Sequence, residues 1–93
     1  MAYYMNIKSV KTEVAYNNSM QQNVIIEVGC KYIFNVTKPT NKKDRKNNGR
    51  VVEILGFSEK FMGEVIVRYM DNGRRGRLVS NHLIPYEGAI NNK

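Results

Sequence analysis

The dipeptide Asn72-Gly73 lies between two short runs of β-branched, aromatic and arginine residues, and it constrains the fold more than any other feature of the chain. A two-residue type I′ turn needs positive φ at both central positions, which Asn and Gly adopt at least cost, so the pair predicts a tight β-hairpin. That turn fixes a register, with Tyr69 opposite Gly76, Arg68 opposite Arg77 and Val67 opposite Leu78. Side chains alternate between the faces of a strand, so Val65, Val67, Tyr69, Gly76 and Leu78 make an apolar face with a ring over a glycine. Ile66, Arg68, Met70, Arg75, Arg77 and Val79 make the other face. Two guanidinium groups directly across a ladder repel each other. This face therefore asks for an anion, either a ligand phosphate or a structural carboxylate from Glu53 or Glu64.

The formal charge of +7 is localised in the same way. Residues 38 to 50 and 68 to 77 hold ten basic and two acidic residues, a net of +8, against −1 for the remainder of the chain. Concentrated positive charge attracts polyanions by Coulomb steering and counterion release, which makes RNA or DNA the leading expected partner. The candidate phosphate-binding residues are Arg68, Arg74, Arg75 and Arg77 on the hairpin and Lys42, Lys43, Arg45, Lys46 and Arg50 on the basic segment before it. A solvated loop with no ligand is the plain alternative for the basic segment alone.

At 93 residues the chain has room for one core. Its longest apolar runs are four or five residues and its first residues show no basic stretch leading into an apolar one, so the expectation is a cytoplasmic protein without a membrane span. The lone Cys30 is expected as a buried small hydrophobe rather than a reactive thiol.

Residues 1 to 22 are expected as an N-terminal extension, partly disordered or forming a strand. Val10, Thr12, Val14 and Tyr16 alternate as a strand does, although Tyr3, Ile7, Val10 and Val14 also fit a helical spacing. Residues 17 to 23 read as a polar connector, followed by two strand segments broken by a bend at Gly29. Residues 37 to 49 contain Pro39 and no apolar periodicity, and are expected as a long exposed loop. A clear strand over residues 50 to 57, a short link, the hairpin, a helical turn at Asn81-His82 and a last strand limited to an edge by Pro85 complete the order. Residues 88 to 93 are expected as a frayed tail. Short strands separated by turns imply an all-β fold, a small barrel.

The run Val28-Gly29-Cys30-Lys31-Tyr32-Ile33-Phe34 is similar to the opening strand of SH3-like barrels of the KOW and Tudor type, and Gly49-Arg50-Val51-Val52-Glu53-Ile54 resembles the glycine-valine-isoleucine core of a KOW motif. The terminal hairpin, helical turn and closing strand complete the likeness, which places a SH3-like β-barrel at residues 23 to 87 and implies a binding module rather than a reaction. The small size and the richness in Asn and Lys also resemble those of phage and mobile-element proteins of Gram-positive bacteria. The first 22 residues and the long basic loop depart from a minimal barrel. A Tudor-type cage needs rings beside acidic groups, and the rings here have mostly basic neighbours.

No nucleophile has a base nearby in sequence, His82 is the only histidine, and paired carboxylates, zinc-ligand spacing and phosphate loops are missing. A non-enzymatic protein with no metal and no small-molecule cofactor is therefore expected. Besides nucleic acid, the alternative partner is an acidic protein surface, with the chain acting as an inhibitor or modulator, possibly phage-encoded, of a host nuclease, polymerase or ribosome.

Overall fold

The structure, a computed structural model, describes residues 7–86; the frayed tail expected at 88 to 93 and the first six residues lie outside the described part. The described chain is mostly β, arranged as two antiparallel sheets with one short helix.

Strands β1 (Thr12–Asn17) and β2 (Gln22–Glu27) form a hairpin paired from Thr12↔Glu27 to Asn17↔Gln22. The boundary expected after residue 22 falls at the start of β2, so the strand of the N-terminal segment is paired with the strand that follows it. Alternation sends Val24 and Ile26 into the core with Ala15 packed against them, while Val14 and Ile25, cross-strand partners, face outward. Residues read as a polar connector close this hairpin. Asn17 is fully buried there, its Nδ2 donating to the Leu83 carbonyl at 2.9 Å and its Oδ1 accepting from Met20 N at 2.8 Å.

The chain leaves the first sheet at Gly29, whose φ of +93° lets it turn sharply while its N–H donates to the Ile54 carbonyl at 2.8 Å. The bend expected there is present. Cys30 follows on the outside of this turn and is exposed, which corrects its expected burial. Its thiol is pushed up, first by local desolvation and then by the Glu27 carboxylate, to which Sγ donates at 3.7 Å.

The second sheet comprises β3 (Lys31–Phe34), β4 (Val51–Phe57), β5 (Glu64–Tyr69), β6 (Arg75–Val79) and β7 (Leu83–Pro85) in the order β6-β5-β4-β3-β7. Sequence neighbours pair throughout except at the end, where a 3-10 turn over Ser80–His82 carries β7 back beside β3. Pro85 sits on that outer strand, where its missing N–H costs no ladder bond. A bulge between Ile54 and Gly56 bends β4, and the Ile7 side chain occupies the space a Cβ on Gly56 would need.

The two sheets share one core, with Ile26, Phe34, Ile54, Phe57, Val65 and Leu83 among its most buried members. The Tyr32 hydroxyl ties them together by donating to the Ile25 carbonyl at 3.1 Å and accepting from Glu27 N at 2.8 Å. Burial pushes this phenol up from its ordinary value. No helix among the described residues is long and apolar enough to cross a membrane.

Helix α1 (Lys42–Asn47) lies inside the segment expected as a loop. Asn41 caps it, with Oδ1 accepting from Asp44 N at 2.8 Å and Nδ2 donating to the Asp44 carboxylate at 3.2 Å. Asp44 in the first turn and Arg45 and Lys46 in the last complement the helix dipole. Past its end, Gly49 at φ +87° donates to the Phe34 carbonyl at 2.6 Å, and the Asn48 side chain bonds both backbone groups of Val36. Polar caps and backbone anchoring, rather than an apolar stripe, hold this helix against the sheet.

Candidate functional site

The hairpin between β5 and β6 is present, but with a longer loop and a shifted register. Arg68 pairs with Arg75, Ile66 with Arg77 and Val67 with Gly76. Residues 70 to 73 form a four-residue loop closed by Tyr69 N to Arg74 O at 2.8 Å and Gly73 N to Tyr69 O at 2.7 Å. Only Gly73 in this loop takes positive φ, at +73°. The two-residue turn loses for an identifiable reason. It would need Asn72 at positive φ as well, whereas here Asn72 Oδ1 instead accepts from Arg74 N at 2.9 Å and Met70 N keeps bonding to the Val51 carbonyl at 2.9 Å.

A shift of two residues leaves every side chain on its expected face. The Tyr69 ring still lies over Gly76, where a Cβ would come within 2.6 Å of Tyr69 Cε2. Two arginines still face each other, Arg75 replacing Arg77 as the partner of Arg68. On its other side Arg68 stands opposite Glu53, a cross-strand pair of opposite charge. Glu64 lies with Arg77, Lys43 and His82 around a cavity of about 130 Å³ and makes no ion pair with Arg77. Its Oε1 and the Nδ1 of His82 are buried without a hydrogen-bond partner among the described residues. The His82 ring meets Phe34 edge-on, with centroids 5.9 Å apart.

Arg50 organises the site. Its Nε and Nη2 donate to the two Asp71 carboxylate oxygens at 2.8 and 2.7 Å, its Nη1 donates to Asn47 Oδ1 at 2.8 Å, and its guanidinium carbon lies 3.9 Å from the Tyr69 ring centroid. One side chain thus fastens the end of α1, the start of β4 and the hairpin loop. Hydrogen bonding from Arg50 holds the Asp71 carboxyl below its ordinary 3.8, and the same bonds raise Arg50. Burial raises Tyr69, against the opposing pull of the Arg50 charge.

This fastening brings the two basic segments to the walls of one groove of about 850 Å³. Lys42, Lys43 and Lys46 of α1 line one side, and Arg74, Arg75 and Arg77 of the hairpin line the other, with Arg50, Tyr69 and Asp71 between them. Lys42, Lys43, Lys46, Arg74 and Arg77 form no ion pair with any described residue. Arg45 and Arg68 do not line the groove. Asn47 and Asp71, which hold Arg50 in place, are the site residues that sequence reasoning missed. Among the described residues no group of three or more His, Cys, Asp or Glu is placed to hold a metal ion.

Because Asp71 has a depressed pKa in the folded chain, its contribution to stability is complete above 3.8 and is lost as the pH falls through the lower folded value. Asp71→Asn should therefore flatten the acid limb of a stability-versus-pH curve below about pH 4. Arg50→Ala should lower the melting temperature at neutral pH by roughly 4 to 8 °C. An acid limb in Asp71→Asn identical to that of the parent would show that the pair carries no folding free energy.

Searches against protein-family models, curated proteins and solved structures give no match to this chain.

Proposed function

We propose that this chain is a non-enzymatic nucleic-acid-binding module that grips a phosphate backbone in the groove between α1 and the β5–β6 hairpin. The observation carrying this reading is the convergence of Lys42, Lys43 and Lys46 with Arg74, Arg75 and Arg77, about thirty residues apart in sequence, on two walls of one open groove. Exposed cations on a fixed frame attract phosphates and release counterions, and contacts of this kind position a backbone with little reading of sequence. The strand order, with the last strand returning through a 3-10 turn beside the first strand of the sheet, supports a SH3-like β-barrel of the KOW kind as the architecture behind the groove.

Titration of a labelled oligonucleotide at several salt concentrations tests the proposal. Log affinity should fall linearly with log salt, with a slope near 0.9 per phosphate contact on duplex DNA or about 0.7 on a single strand. Replacing Lys42, Lys43 and Lys46 together by Gln should flatten that slope by about 2 to 3. Arg45→Gln, on the same helix but off the groove, should leave it nearly unchanged. A folded protein that binds no oligonucleotide at low salt would end this reading and favour an acidic protein surface as the partner.

A further inference from the structure

The groove's walls and floor differ in chemistry, and the difference bears on which form of nucleic acid fits. The walls are rows of cations. Lys42 and Lys46 stand one helical turn apart, about 6 Å along α1, and Arg75 and Arg77 are about 6.8 Å apart along β6. Among the described residues, the floor offers no open ring face for a base to stack on. Tyr69 is the only aromatic residue among those described along the groove, and it is 7% exposed. The Arg50 guanidinium covers its ring at 3.9 Å, and its phenol end lies against Gly76, too close to admit even a methyl group between them. The Arg50 charge is already met by Asp71, whose own side chain is 55% exposed and presents an anion that repels a deeply inserted phosphate.

We infer that the groove takes the outward phosphate ridge of a duplex in preference to a single strand. The inference rests on the nucleic-acid reading above. Single-strand binding draws much of its strength from bases stacked on aromatic side chains, and the described residues of this groove present no free ring face to supply it. A duplex keeps its bases stacked inside and needs only cations along its backbone. It also carries one charge per about 1.7 Å of axis, against about 3.4 Å for each strand, so the same cations release more counterions. With bases turned away from the groove, sequence has little influence on affinity.

The test compares the full chain's affinity for labelled duplexes of about 20 base pairs with its affinity for their separated strands, in DNA and in RNA, at one low salt concentration. A duplex should bind at least about tenfold more tightly than its own strands, and duplexes of unrelated sequence should agree within a few-fold. A preference confined to the DNA or to the RNA duplex supports the inference and identifies the helix form taken. Single strands bound as tightly as the duplex would overturn it and mean that the wall guanidiniums stack on bases, while the proposed function would stand. Failure of every probe to bind would overturn both.

Discussion

Phe34→Ala should destabilise the protein by about 3 to 5 kcal/mol, the range for removing a large aromatic ring from a close-packed core. Phe34 is 2% exposed, on the β3 strand that joins the middle of the larger sheet to β7, where it pairs with Leu83. Its ring is met edge-on by His82, and its backbone accepts from Gly49 N and donates to the Arg50 carbonyl at 3.0 Å. The cavity left by alanine would therefore open directly beneath the end of α1. Denaturant unfolding monitored by circular dichroism measures the loss, and a midpoint shift equivalent to less than about 1 kcal/mol would mean that the site collapses without cost and that the core is looser than described. Phe34→Leu, which keeps most of the volume, should recover the larger part.

Asn17→Ala should cost about 2 to 3 kcal/mol, because it removes one buried and one part-buried hydrogen bond and leaves the buried Leu83 carbonyl without its side-chain donor. One bond closes the β1–β2 turn through Met20 N, and the other crosses to the Leu83 carbonyl at the start of β7. Asn17→Asp keeps the acceptor and loses the donor, so it should still close the turn while facing the Leu83 carbonyl with like polarity. Similar melting temperatures for Asn17→Ala and the parent would show that the Asn17 bonds contribute nothing to docking the small sheet.

The strands and their faces were legible in the sequence because period-two alternation depends on local pattern alone. Val65, Val67 and Tyr69 had to share a face whatever the turn, and the error of two residues in register left that face untouched. Register is not set by local pattern, because Asp71 is drawn to Arg50, 21 residues away, and the Asn72 side chain bonds back to its own loop. Helix α1 carries no apolar periodicity, since its six residues are all polar or charged. The spacing of Asn41 and Asp44, an N-cap with an acidic residue three positions on, was its one sequence signal. The candidate cations could be named from composition, but their meeting on two walls of one groove depends on Arg50 joining three segments, which no local window contains.

The place of β6 as an outer strand adds a colloidal role for the same arginines. An outer strand offers unpaired backbone groups to any passing chain, and charged side chains are one of the ways natural proteins prevent such pairing. Arg75 and Arg77 project from this edge and are exposed. At the opposite edge the guard is Pro85, which has no N–H to offer. The cations that would draw in a phosphate thus also hold off a second copy of the chain. On the proposed reading, substitutions that neutralise both residues should weaken nucleic-acid binding and promote self-association together, so light scattering belongs beside every titration of such variants.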